Sequence, residues 1–282
     1  MAQSPSSSVQ AAREALAKRL KNIRLDSGLL AKEVAERAGW YPSKASRLEN
    51  ATTPPSDADI REWCTICGVP DEAADLIAAS RSAQNAYVEW KRLQRTGLRR
   101  LQESYVPLYE RTRSFRVYCS NVVPGLLQTP EYATALLSAI TAFRQTPNDV
   151  TEAVAARVKR ARVLRHGDHR FAILVEEAVL RHRMGGAEVM AGQLGHLLSV
   201  MSLPAVSLGI VPFTNDREMW PLETFSIYDT EQAQVETLTA AVNLTAPSEM
   251  AQYVKAFEML SEMAVYGGPA RALITEAIGA LG

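Results

Sequence analysis

The stretch from Gly28 to Asn50, GLLAKEVAERAGWYPSKASRLEN, confines the first part of the chain to few folds. It reads as two short amphipathic helices joined by a tight turn at Gly39. Val34, Ala35 and Ala38 share one face of the first helix, and Ala45 and Leu48 share one face of the second, at helical spacing. Ala35 sits where two crossing helices touch, so its side chain has to be small. Gly39 suits a left-handed C-cap position, which penalises any residue with a Cβ. Trp40 is expected to anchor the turn in the core. Pro42 opens the second helix, where its missing N–H is harmless and its fixed φ helps. Two helices this close hold a fixed angle, so one projects as a rigid probe of the kind that enters a DNA major groove. The same spacing also suits an ordinary helical hairpin with a solvated polar face.

The flanks favour the first of these readings. Ahead of the pair, Leu16, Leu20 and Ile23 form one apolar stripe opposite basic side chains. After it come a Thr-Thr-Pro-Pro turn, a helix over about 57–67 and another over 70–79. Residues 12–79 therefore read as an all-α, five-helix domain. Its second motif helix, about 42–50, presents Ser43, Lys44, Ser46 and Arg47 outward.

The segment resembles the Xre family of Cro/CI-type helix-turn-helix domains. The resemblance rests on Leu20, Leu25, Gly28-Leu29, Val34-Ala35, Gly39, the run Ser43 to Asn50, and Pro54-Pro55. Family members commonly carry Gln just inside the first helix of the pair, where this chain has Ala31. The resemblance implies double-stranded DNA as partner and Tyr41, Ser43, Lys44, Arg47 and Asn50 as DNA-binding residues. Arg47 has the geometry to bond guanine O6 and N7, and Lys44 to do so or to neutralise a phosphate. Asn50 matches a position that often bonds the DNA backbone.

A chain of 282 residues is expected to hold two domains. Its net charge of zero hides an uneven distribution. From Arg13 to Arg47 nine basic residues face four acidic ones, whereas beyond Met184 three face eleven. A basic front and an acidic back suit a polyanion at one end only. Middle runs such as Arg157 to Arg183, eight against three, also read as solvated helix faces. Cys64, Cys67 and Cys119 are too few for a disulfide framework and point to a reducing compartment. Cys64-x-x-Cys67 falls within a helical pattern, so buried core is favoured over a redox or metal site. Residues 1–11 read as a disordered tail, and no stretch has the ~20 apolar residues of a membrane span. The expected location is cytoplasmic, at the nucleoid.

Residues 80–105 read as an arginine-rich helical linker with Tyr87, Trp90, Leu93, Leu98 and Leu101 on its apolar side. Beyond it, strand-like runs (115–123, 171–175, 206–211, 225–228, 235–238) alternate with helical ones. Thr129-Pro130-Glu131 is a strong helix start, with an N-cap oxygen, proline in the first turn and a carboxylate facing the dipole. Residues 106–282 therefore read as a larger α+β domain, making the chain multidomain. Val123-Pro-Gly-Leu-Leu-Gln-Thr-Pro-Glu-Tyr-Ala133, Glu176-Glu-Ala-Val-Leu-Arg181, Gly185-Gly186, Gln193-Leu194 and Val211-Pro-Phe213 together resemble the WhiJ-like regulators of actinomycetes. In that family an Xre-type domain precedes a C-terminal domain of uncertain role. The resemblance implies a transcription regulator, often encoded beside a small BldB-like partner protein.

Catalytic patterns are thin. His166-Gly-Asp-His169 lies in a loop without fixed third and fourth metal ligands. Adjacent Glu176 and Glu177, with His182, are expected to point apart. No nucleophile elbow, Walker loop or paired zinc motif is present. The expectation is therefore a non-enzyme without metal or cofactor. It reads as a sequence-specific DNA-binding regulator whose C-terminal domain forms a homodimer and binds a small partner protein or effector. A protein-interaction hub or ligand sensor, with DNA binding secondary, is the alternative. An apolar pocket lined by Tyr118, Trp220 and Phe225 would favour the ligand sensor, but residue order does not show that the three converge.

Overall fold

The structure is a computed structural model that describes residues 5–82, 87–89 and 94–282; within these, the side chains of 5–12, 81–82 and 87–89 are excepted. The chain divides into two compact units, Met1–Tyr87 with Asn243–Ala251, and Val88–Val242 with Gln252–Gly282.

The first unit contains helices α1 (Pro5–Asp26), α2 (Ala31–Arg37), α3 (Pro42–Glu49), α4 (Asp57–Ile66) and α5 (Ala73–Ser82), with a 3-10 turn at Pro70–Glu72. Part of the expected disordered tail is thus helical, because α1 starts at Pro5. Proline is tolerated in a first helical turn, and the alanines that follow propagate the helix back from its packed half. Leu20, Val34, Ala35, Ala45, Leu48, Ile60, Trp63 and Leu76 form the core. Trp63 donates its indole N–H to Leu20 O at 3.0 Å. Trp40 stacks on Trp63 with ring centroids 6.3 Å apart, which anchors the α2–α3 turn as expected. Gly39 has φ of 65°. There its N–H reaches Glu36 O, while the Trp40 N–H reaches Ala35 O at 2.8 Å, closing α2 before α3 begins.

An ion pair joins three of these elements. Arg24, near the end of α1, makes a forked contact with Glu49, the last residue of α3. Its third nitrogen donates to Leu29 O at 2.7 Å, just ahead of α2. Both side chains are only 8 % exposed. The hydrogen bond to Glu49 raises the Arg24 pKa against the opposing effect of burial.

Among the described residues, the helical linker expected over 80–105 is not helical throughout. Strand β1 occupies Tyr87–Glu89, and α6 (Arg99–Ser104) begins only after Gly97. The Asp149 carboxylate accepts from the Leu98 and Arg99 N–H groups at 2.7 and 2.9 Å, which fixes that start. Trp90 and Leu93 lie outside the described residues, as does the side chain of Tyr87.

The second unit continues with α7 (Val106–Arg111), β2 (Ser114–Cys119), α8 (Pro130–Arg144), α9 (Val150–Arg160), β3 (Arg170–Glu176), α10 (Glu177–Arg181), α11 (Ala187–Val200), β4 (Val206–Val211), β5 (Phe225–Tyr228) and β6 (Gln232–Glu236). Strand β7 (Ala240–Leu244) and helices α12 (Pro247–Met263) and α13 (Gly267–Gly279) complete the chain. Five strands are ordered β6-β5-β2-β3-β4. β2, β3 and β4 run parallel, in the register Phe115↔Phe171↔Val206, and β5 and β6 return antiparallel. Helices α8–α9 and α10–α11 make the two crossovers that parallel strands need. Thr129 caps α8 through Oγ1, which accepts from the Tyr132 N–H, as its Thr-Pro-Glu start implies. β6 begins three residues earlier than expected, so the β5–β6 turn is tighter.

Glu49→Ala is expected to strand Arg24 as a buried unpaired charge and cost about 3–5 kcal/mol. Denaturant unfolding followed by circular dichroism of the full chain measures this. The double variant Arg24→Met/Glu49→Met is expected to lose much less.

Candidate nucleic-acid interface

Helix α3 buries Ala45 and Leu48 and turns its opposite side outward. At 100° per residue, Ser43, Ser46, Arg47 and Asn50 fall together on that side, and all four are exposed. Tyr41, the residue before α3, is 84 % exposed and stands at the same end. Among the described residues the Arg47 guanidinium has no partner, so its five donors face outward. Asn50 is turned back on its own helix: its Nδ2 donates to Ser46 O at 2.9 Å and to Ser46 Oγ at 3.3 Å. That contact orders the end of α3 and leaves the Asn50 carbonyl oxygen as its outward group.

Lys44 departs from expectation. It lies on the flank of α3, and its Nζ meets Asp59 Oδ1 of α4 at 2.5 Å. The ammonium also sits 4.3 Å from the centroid of the Trp40 ring. Lys44 is thus a tie between α3, α4 and the turn, and it does not belong to the outward set. Its angular position, a quarter turn from Ser43, carries it toward the neighbouring helix. Burial opposes ionisation of Asp59, but hydrogen bonds from Lys44 and Ser56 outweigh it and hold the carboxyl below its ordinary value. Ser46 takes the place on the outward face that reasoning from residue type had assigned to Lys44. Helical angle placed Ser46 outward, although it was not among the residues assigned to DNA.

The remaining candidates are structural in place. Cys64 and Cys67 are buried free thiols, with Cys64 pushed up to about 11 chiefly by burial and Cys67 raised for the same reason. They remain protonated and unreactive at neutral pH. Glu176 and Glu177 do point apart. Glu176 accepts from Arg217 at 2.6 and 2.9 Å and from the Tyr118 hydroxyl at 2.7 Å, whereas Glu177 accepts from Arg181 and from the Phe213 N–H. The ring of His182 meets Asn121 O, and that of His169 meets Thr112 O at 2.7 Å. Among the described residues no three His, Cys, Asp or Glu side chains are grouped to hold a metal ion. Of the three residues named for a ligand sensor, two are in the core and one is at the surface. Tyr118 and Phe225 pack 5.4 Å apart in the core, and Trp220 is 66 % exposed. Among the described residues no helix is long and apolar enough to cross a membrane.

Residues 102–276 match the family model described as a domain of unknown function, DUF5753. The chain belongs to this family. Ahead of its DUF5753 domain, residues 15–77 match a helix-turn-helix domain, which places a DNA-binding fold around α3. No curated protein and no solved structure matches the chain significantly. The order of the two domains agrees with the Xre-type arrangement read from the sequence, with the DUF5753 domain in the position of the larger α+β unit.

Lys44→Met is expected to lower the stability of the helix-turn-helix unit through its loss of the Asp59 contact. Because the Asp59 pKa is depressed in the folded state, its contribution is full above about pH 4, the ordinary carboxylate value, and disappears as pH falls through the lowered folded value. The gap between parent and variant denaturation midpoints is therefore expected to be widest at neutral pH and to narrow in acid. Denaturant titrations at several pH values between neutral and acid measure it.

Proposed function

We propose that this DUF5753 chain is a sequence-specific DNA-binding transcription regulator of the Xre and WhiJ-like kind. The observation that carries the reading is the outward side of α3: Ser43, Ser46, Arg47 and Asn50 exposed together, with Tyr41 at the helix start. Arg47 is the principal base-reading residue, through guanine O6 and N7. Serine hydroxyls beside it serve either bases or phosphates, and Tyr41 and Asn50 hold the DNA backbone. The basic run from Arg13 to Arg47 supplies counter-charge for phosphates. Lys44 acts indirectly, by fixing the pitch of α3 against α4 through Asp59.

A single helical domain contacts too few base pairs for tight, selective binding, which supports a homodimer reading two half-sites. We assign dimerisation, and the capture of a small BldB-like partner or an effector, to the DUF5753 domain. No catalytic step is assigned to it. A regulator of this kind works in the cytoplasm, at the nucleoid.

The test is a binding titration of the full chain against DNA from its own upstream region and an unrelated duplex, at two salt concentrations. Affinity is expected to fall steeply with salt. Arg47→Ala is expected to lose about 1–3 kcal/mol of discrimination between the two duplexes while leaving the unfolding temperature unchanged. Equal binding of both duplexes by the parent protein would overturn the reading.

A further inference from the structure

The second unit holds a cavity of about 450 Å³ that opens to the surface. Its walls come from α9, the Val123–Gln128 segment and strands β2, β5 and β6. Leu101, Leu126, Leu137 and Ile140 make one side of it apolar. The other end is made by Arg157 and Arg160, one turn apart on α9.

These two arginines are placed at odds with a purely structural role. Arg160 is 7 % exposed, and its Nε is buried without a hydrogen-bond partner. Its Nη1 reaches Gln102 O only at 3.4 Å, and its guanidinium lies over the rings of Tyr105 and Tyr109. Arg157 donates to Gln102 Oε1 at 3.1 Å and to Gln128 Oε1 at 2.5 Å, both neutral amide acceptors. Among the described residues neither guanidinium has a carboxylate in ion-pair range. Burial first, and then the like charge of Arg160, bring the Arg157 pKa down to about 10. Arg144 adds a third cation to the lining, and its Nη2 donates to Leu238 O at 3.2 Å. Glu236, exposed, is the one acid in the lining and offsets part of this charge. Gln94 Oε1, also in the lining, is a second buried polar atom without a partner. Buried guanidiniums normally meet carboxylate or phosphate oxygens in forked contacts.

Gly125 keeps the approach to both arginines open. A Cβ there would lie 3.6 Å from Arg160 Nη2 and 3.9 Å from Arg157 Cζ. Any longer side chain would occupy the place where an oxyanion meets them.

We infer that this cavity binds a small amphiphilic oxyanion, a carboxylate or phosphate monoester carried on an apolar body. The oxyanion accepts from the Arg157 guanidinium and from Arg160 Nη2, the nitrogen nearest Gly125, and the apolar body lies along Leu126, Leu137 and Ile140. The volume falls within the roughly 300–1,000 Å³ of small-molecule sites. This inference gives the effector part of the proposed function a place and a chemical class, and it rests on that reading only for its regulatory meaning.

The test is calorimetric titration and thermal unfolding of the full chain, without DNA, using octanoate, octyl phosphate, 1-octanol and inorganic phosphate below micellar concentrations. One of the two octyl anions is expected to bind at one site per chain and raise the unfolding temperature. The stronger of the two tells a carboxylate from a phosphate headgroup. Octanol and inorganic phosphate are expected to bind at least tenfold more weakly. Gly125→Val, which keeps both arginines, and Arg157→Gln/Arg160→Gln are each expected to weaken the anion at least tenfold. Should the double variant fail to fold, Gly125→Val alone decides the matter. Absence of binding by either octyl anion, equal binding of octanol or of inorganic phosphate, or anion binding that survives Gly125→Val would overturn the inference. Because no DNA is present, failure here leaves the DNA-reading proposal standing, and failure of that proposal leaves this site standing.

Discussion

The Arg24–Glu49 pair is the constraint on which the helix-turn-helix unit turns. Helices of seven and eight residues, α2 and α3, are too short to be stable alone. Their angle has to be imposed from outside, and the core of small residues at Ala35 and Ala45 gives contact without much leverage. A guanidinium that engages Glu49 with two nitrogens and Leu29 O with the third fixes the end of α3 and the entry to α2 in one step. With all three nitrogens of Arg24 hydrogen-bonded, the pair offsets part of the cost of burying charge. What it secures is geometry, and geometry is what a projecting helix requires.

The same logic, applied with a different outcome, governs the second unit. There the buried carboxylates Glu176 and Glu177 are met by Arg217 and Arg181: the first pair ties the Arg217 loop to the end of β3, and the second lies within α10. Charge in that region is spent on structure. Among the described residues the hydrogen bonds of Arg157 and Arg160 go to neutral amide oxygens, and Arg160 lies against aromatic rings at the edge of a cavity. The contrast between satisfied and unsatisfied buried charge within one domain is what separates a structural region from a binding one.

Much of this was legible from residue order. Apolar spacing located α2, α3 and α4, and Gly39 and Pro42 marked the boundary between α2 and α3 through backbone preferences that hold in any context. Thr129-Pro130 did the same for α8. Two site features were not legible. Lys44 belongs by composition to a basic reading surface, but its flank position brings Asp59, fifteen residues away, within reach. Arg157 and Arg160 continue the stripe of Val150, Ala153 and Val154 on α9, so periodicity did place them on a buried face. Read as charge alone they were indistinguishable from a solvated run.

The sequence by itself determined where α2 ends and where α3 and α8 begin, which of their faces are apolar, that the chain alternates helices and strands after Ser114, and that α3 carries an exposed arginine. These are local properties, set by backbone preference and side-chain spacing within a turn or two. Tertiary structure decided which charges are paired. Whether a lysine faces solvent or an aspartate, and whether an arginine meets a carboxylate or a cavity, depends on residues distant along the chain brought within a few ångströms. Electrostatic energy varies steeply over that distance and with burial, and residue order does not encode it directly.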